Sequence, residues 1–414
     1  MSAWYRAPSL PVAVLLAIAP AMAVAQFRAL APAVTLAFVL TIIAHWRAHR
    51  ALPWPAPRPA TLLAAALLGW CALSALWSSE GPRALLSTAS LAALLLLGAM
   101  AARAVAADGA PNLRRLGVAL FGGLALGAAL LAFDQASGHL FRLAVRGFPR
   151  DMPFIGFGIK PALSFFVLLL PLALAVPGLA LVWRLLLVAA GLAVARFVPA
   201  DAAALAALAG MLAAGFGALL PRLARRLLAL GLAGFFLAAP LLFGQVMARA
   251  PDLSALPFSA QHRVLIWDFV LQRIAERPLL GWGMEASRAI PGGAETFAPE
   301  TLDRFGLTEP AERNLYNRAA VQRLPLHTHN AALQVHLELG LLGAVMAAAL
   351  AGAILLAAGG SAIPAAALGV AASAAVTGQL SFGAWQAWWI AAMLLAAVTI
   401  AGLSALREQT QQRG

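Results

Sequence analysis

Charged side chains are scarce in this sequence. They make up 11% of 414 residues, and acids number 16 against 29 lysines and arginines. A soluble domain of this length is excluded, because its surface would need far more charge. The one cysteine, Cys71, lies in an apolar run, so no disulfide framework exists and the redox compartment cannot be read from it. His-Glu-x-x-His and Gly-x-Ser-x-Gly are both absent, which places a membrane protease last among the candidate readings.

What is present is apolar. Hydrophobic residues account for 62% of the chain, and the mean hydropathy is +0.86. Runs of about 18 or more apolar residues recur, the length a helix needs to cross roughly 30 Å of hydrocarbon. They do not alternate polar with apolar as barrel strands do. The expected fold is all-α, a polytopic transmembrane helical bundle of about twelve spans. The spans fall near 10–26, 28–45, 60–77, 84–102, 116–134, 160–178, 181–198, 201–220, 227–247, 330–355, 360–380 and 385–405. The first resembles a secretory signal, with Arg6 and then Ala-Met-Ala-Val-Ala, but the next span follows almost at once, so it reads as retained.

Basic residues orient the bundle. Arg47, Arg50 and Arg58 follow the second span, Arg103, Arg114 and Arg115 the fourth, and Arg222, Arg225 and Arg226 the eighth. These alternate loops are cytoplasmic by the positive-inside rule, and both termini join them. Part of the +13 formal charge is therefore an orientation signal, and no nucleic-acid partner is called for.

Two outer loops depart from that pattern. "GHLFRLAVRGFPRDMPFIGFGIK" carries Arg142, Arg146, Arg150 and Lys160 against Asp151. The arginines are four apart, the spacing of one helical face, although Gly147 and Pro149 interrupt it. They suit either lipid phosphates or an anionic substrate. The segment 248–328 holds nine of the sixteen acids and nine arginines, so it reads as a polar helical subdomain. Within it, "SAQHRVLIWDFVLQRIAERPLLGWG" has Val264, Trp267, Val270, Leu271 and Ile274 at helical spacing, Ser259 as a candidate N-cap and Pro278 as a stop. Arg263 is placed in the first turn, where a cation opposes the helix dipole unless an anion joins it. Arg196, about a turn inside its span, has Asp201 as a candidate partner and a cavity as the other explanation.

The stretch "LPLHTHNAALQVHLELGLLG", 324–343, puts His327, His329 and Asn330 where the pattern turns apolar. Asn330 or Thr328 can cap the helix that follows. His329 and His336 are seven apart, on one helical face. A metal set of His327, His329, His336 and Glu338 matches no standard zinc spacing, so no metal is expected. His329 suits a general base, since imidazole accepts a proton near neutral pH. Gly340 and Gly343 allow a neighbouring helix to come close.

His329-Asn330, nine residues, Gly340, two residues and Gly343 resemble the signature of the bacterial O-antigen ligase and polymerase superfamily. The stretch "HRVLIWDFVLQRIAERPLLGWG" resembles its arginine helix. The likeness covers roughly the second half of the chain; the first half matches mainly in span count. The resemblance implies a bacterial inner-membrane, multi-pass enzyme with its active site on the periplasmic side. It would take a glycan from a polyprenyl pyrophosphate carrier and transfer it to a lipid A core sugar, as a ligase, or to a lipid-linked repeat, as a polymerase. On that reading His329 is the base, Arg263 and Arg196 hold the pyrophosphate with Lys160 and Arg146, and Asn330, His327, Gly340 and Gly343 support the site. Pro199-Ala200-Asp201 stands where a serine-rich turn is usual in the family, and Ile159-Lys160 where an Asn-Arg pair is common.

The residues agree with that chemistry independently. Displacing a pyrophosphate needs a base on the nucleophile and cations on the leaving group. The chain has no Asp-x-Asp, and no acid between the first two spans, so arginines in place of a metal fit better, with inversion if one displacement occurs. No cofactor is expected. The domains are then a bundle over 1–247, a periplasmic helical loop domain over 248–328, spans ten to twelve over 329–406 and a cytoplasmic tail over 407–414. The rival from another class is a lipid-linked glycan transporter, which should place charge along a midplane path; here charge gathers at one face.

Overall fold

The computed structural model describes residues 6–152 and 155–412. The first five residues of the expected bundle, positions 153–154 of the first outer loop and the last two of the tail lie outside the described residues. Those described form helices and loops, with no strand among them.

The helices are α1 (Leu10–Gln26), α2 (Leu30–His49), α3 (Pro59–Ser74), α4 (Gly81–Ala106), α5 (Ala110–Ala136), α6 (Leu140–Arg146), α7 (Ile159–Leu169), α8 (Leu181–Phe197), α9 (Asp201–Leu219) and α10 (Pro221–Ala248). The polar segment then contributes α11 (Phe258–Glu276), α12 (Pro299–Arg304) and α13 (Pro310–Tyr316). The chain ends with α14 (Ala331–Gly359), α15 (Pro364–Leu380) and α16 (Ala387–Gln411). Proline opens α3, α4, α5, α10 and α15 at their first positions, where its missing N–H costs no helical bond.

A helix stands at each of the twelve positions the hydropathy pattern marks. Among the described residues, seven stretches are long and apolar enough to cross a membrane by length and composition, the first of them being α1 and α2 counted together. The shortfall has local causes. A turn at Phe27–Ala29 separates α1 from α2. α3 and α15 have 16 and 17 residues. α7 tightens into a 3-10 turn at Leu170–Ala175, where Pro171 cannot continue the α-helical ladder. Apolar windows ran through residues that the backbone uses for turns.

One large core joins α1, α2, α4, α5, α7, α8, α9 and α16. A second joins α11 and the loops around it to α10 and the first turns of α14. Helices α9 and α15 pack at backbone distance: a Cβ on Gly210 would fall 2.1 Å from Ser373 Oγ. Small residues at such crossings replace the hydrophobic driving force that lipid does not supply. α14 gives Ala332, Leu333 and Leu337 to the second core and Val335, Leu339 and Ala344 to a third with α3 and α4, and that placement matters for the site.

Candidate active site

Three segments converge where α14 begins. Asn330 is its N-cap, the side-chain oxygen accepting from Leu333 N–H at 2.8 Å. Its amide nitrogen donates to the Gln379 carbonyl at 3.1 Å, and Gln379 Oε1 accepts from Ala332 N–H at 3.1 Å. The start of α14 is thereby tied to the end of α15. Trp267 of α11 donates to the Thr328 carbonyl at 2.9 Å, bringing the arginine helix onto the same segment.

His329 sits just ahead of the cap with φ +55°, a left-handed conformation costly for a side chain this large. Its Nδ1 lies 2.7 Å from the Ser381 carbonyl oxygen. A carbonyl only accepts, so Nδ1 carries the proton and the neutral ring presents a lone pair at Nε2. The His327 ring meets the His329 ring edge to face, with centroids 4.2 Å apart. It rests on Gly383, where a Cβ would come within 2.7 Å of the imidazole. Burial pushes the His329 imidazole down to about 3, helped by His327, Arg263 and His262 and opposed by the Ser381 carbonyl. His327 is also lowered, by burial first and then by the charges of Arg288 and Arg263. Both rings are therefore neutral bases at pH 7.

Arg263 is half-buried and stands apart from the other arginines of the polar segment, of which Arg249 and Arg318 are unpaired among the described residues but exposed. Five of those are ion-paired: Arg273 with Glu276, Arg288 with Glu285, Arg304 with Asp268, Arg313 with Asp303 and Arg323 with Glu295. Arg277 stacks on Trp282 at 4.0 Å. Arg263 makes no ion pair or hydrogen bond among the described residues, yet burial lowers its proton affinity and Asp201 supports its charge from a distance. A desolvated guanidinium with open donors is an anion site by charge and geometry.

Several expectations change. α11 begins at Phe258 after Pro257, so Ser259 is not its N-cap and Arg263 lies in the second turn. The helix dipole therefore acts on Arg263 only weakly, since its field falls off within the first turn. Arg142 and Arg146 share a face of α6, but Arg150 does not join them, because α6 stops at Gly147 in a left-handed conformation, as the interruption by Gly147 and Pro149 implies. Arg142 is wholly buried, its Nε donating to Asp134 at 2.7 Å. Arg146 donates to the Ala25 carbonyl at 2.8 Å. Arg196 is exposed in the last turn of α8 and does not pair with Asp201 among the described residues. Lys160 occupies the first turn of α7. Arg146 and Arg196 make no hydrogen bond or ion pair with His329 among the described residues, whereas Asp201, which opens α9, acts on Arg263. His336 does not share a face with His329: Nε2 donates at 2.8 Å to the Phe236 carbonyl. That carbonyl has no helical partner because Pro240 lacks the N–H four residues on.

Gly340 is where the helix breaks. Its φ of +65° and ψ of −167° are open only to glycine, and α14 is two helices joined there. The neighbour that comes close is the loop after α11, not a helix. Leu341 N–H donates to the Pro278 carbonyl at 2.9 Å, and Trp282 N–H and Gly283 N–H donate to Leu337 and Glu338 carbonyls at 2.8 and 2.7 Å. A Cβ on Gly340 would fall 2.2 Å from the Leu279 oxygen. Gly343 makes room for Leu339 across the break.

Two features were not read from the sequence. A cavity of about 880 Å³ lies among α9, α10, α14 and α15, with Leu228, Phe235 and Leu355 on its walls and Trp267, Asn330 and Gln379 at its polar end. Glu338, considered only as a metal ligand, is fully buried and accepts from four donors.

Residues 116–348 match the family described as O-antigen ligase. The chain belongs to that family. The match takes in α11, His329 and the break at Gly340. Among similar proteins is a candidate polysaccharide ligase of Rickettsia conorii, 30% identical over 137 residues, 32% of this chain and 29% of that protein. Candidate polysaccharide ligases of Rickettsia felis and Rickettsia bellii are 28% and 27% identical, over 40% and 41% of this chain and 38% and 39% of theirs. The similarity thus spans well under half the length of these curated relatives. Membership of the O-antigen ligase family and the run of apolar helices make this a multi-pass membrane protein.

Proposed function

We propose that this chain is an O-antigen ligase of the inner membrane, with twelve spans, that moves a glycan from a polyprenyl pyrophosphate to a lipid A core sugar at the periplasmic face. The polar segment 248–328 is a loop domain over the bundle's periplasmic end; 1–247 and 329–406 form the bundle, and 407–414 a cytoplasmic tail. The observation that carries the reading is His329, protonated at Nδ1 and basic at Nε2, within the field of the unpaired Arg263.

In the proposed step the acceptor hydroxyl oxygen attacks the anomeric carbon while His329 Nε2 takes its proton. The bond from that carbon to the phosphate oxygen breaks, and the pyrophosphate leaves on its carrier. Arg263 meets the charge developing on the leaving group. Arg196, Lys160 and Arg146 lie toward the same end and add to the attraction for an anion. One displacement inverts the anomeric centre, and arginines take the place a metal holds elsewhere. Asn330 and His327 hold the base, and Gly340 and Gly343 permit the break that seats it. The apolar cavity ending at Asn330 takes the carrier's hydrocarbon chain.

The test is transfer by the purified protein in lipid nanodiscs. Glycan appearing on lipid A core supports the ligase. Extension of a lipid-linked repeat, with none on the core, makes it a polymerase. Movement of donor between leaflets without a new glycosidic bond makes it a transporter.

A further inference from the structure

Glu338 stands at the centre of a polar network that the proposed chemistry does not use. Four donors meet its carboxylate, and the Glu285 side chain is an acid that also acts on it. Glu285 N–H is at 2.8 Å, Gln334 Nε2 at 3.0 Å, Trp385 Nε1 at 2.7 Å, and the Ser287 hydroxyl completes the set. Two oxygens with four lone-pair sites match four donors, and an amide in that place would turn N–H against N–H. A buried acid this well met is costly to lose, since its partners would be left unsatisfied.

The donors come from two sides. Glu285 and Ser287 belong to the loop after α11, and Glu285 is itself held by Ser87 at 2.9 Å and Arg288 at 2.6 Å. Trp385 belongs to loop 381–386. Gln334 reaches the same loop a second time, its Oε1 accepting from Ala384 N–H at 2.9 Å. That loop carries Gly383, under the His327 ring, and Ser381, whose carbonyl accepts from His329.

We propose that Glu338 is a positioning residue: through Trp385 and Gln334 it holds loop 381–386 so that the Ser381 carbonyl keeps the proton on His329 Nδ1 and leaves Nε2 free. The inference rests on His329 being the base. A loosened loop releases the tautomer, since Nδ1 then has no fixed acceptor and the proton can move to Nε2. It also admits water to a ring now shielded by the loop. The titratable and charged groups facing His329 are His327, Arg263 and His262, with Arg288 acting on His327. None of them is removed by a change at Glu338.

The experiment measures kcat and KM for the donor against pH from 5 to 8, for the wild type, E338Q and W385F in nanodiscs. The wild type is expected to be flat, because its base stays neutral throughout. E338Q is expected to lose tenfold or more in kcat with donor KM within twofold, and to gain an acid limb near pH 6.5, about the free imidazole value. W385F, which removes one donor, should gain the same limb with a smaller loss. A lower kcat with the wild-type pH profile in both variants would mean mere destabilisation and would overturn the proposal. Unchanged kinetics in both would overturn it too. H329A is run alongside: if it retains full transfer, the base assignment fails, and that result is distinct from failure of the positioning role.

Discussion

His329 shows how much a single hydrogen bond can decide. Without the Ser381 carbonyl its two nitrogens are equivalent choices for the proton; with it, one is a donor and the other a base. Burial and three neighbouring groups keep the ring neutral far below pH 7. Because its folded value of about 3 lies under the free value near 6.5, the neutral form is favoured by folding. Its contribution to stability is present above pH 6.5 and falls away as pH drops toward 3, a window a thermal-unfolding series from pH 7 to 4 would read in wild type against H329A. Arg263 should matter for the leaving group. R263A is expected to lower kcat/KM by about 10²–10³, with R263K recovering only part of it, measured as initial transfer rates. The histidine and the arginine were legible in the sequence as polar residues out of keeping with their surroundings. Glu338 was not, because its meaning lies in donors from two distant segments, the loop at Glu285–Ser287 and Trp385. Arg142 misled for the same reason: Asp134 neutralises it across eight positions and a turn.

Among the helices, period and length sufficed to locate nearly every element, since an apolar run of this length has few alternatives in a membrane. The breaks were harder to foresee. A glycine inside a helical pattern costs only about 1 kcal/mol and reads as packing, so Gly340 gave no local sign of a kink. Its partner, the Leu279–Gly283 stretch, is about sixty residues earlier, and only the fold pairs them. That pairing joins the arginine helix to the histidine helix in a fixed register. G340A is therefore expected to cost about 2 kcal/mol or more, since alanine is strained at that φ and ψ and its Cβ meets a carbonyl. A fall in the detergent-solubilised Tm together with lost transfer would bear this out; a Tm equal to wild type would not.

For the molecule as a whole, twelve helical positions build a frame in which polar chemistry gathers at one end and an apolar cavity leads to it. A cavity is invisible in sequence because its lining, Ala209 to Leu380, comes from several helices at ordinary packing positions. If it takes the carrier chain, A375W should raise the donor KM at least fivefold for a long polyprenyl donor and much less for a short-chain analogue. Equal effects on both would assign the cavity no part in chain binding. Replacing His329 with alanine in the native host tests its role as the base of glycan transfer. Lipopolysaccharide from H329A would be run on a gel beside wild type and a deletion strain, with membrane levels of the protein matched. H329A and the deletion are both expected to lose glycan from lipid A core, while polymer accumulates on the carrier lipid. A wild-type ladder from H329A, with the deletion defective, would contradict that role.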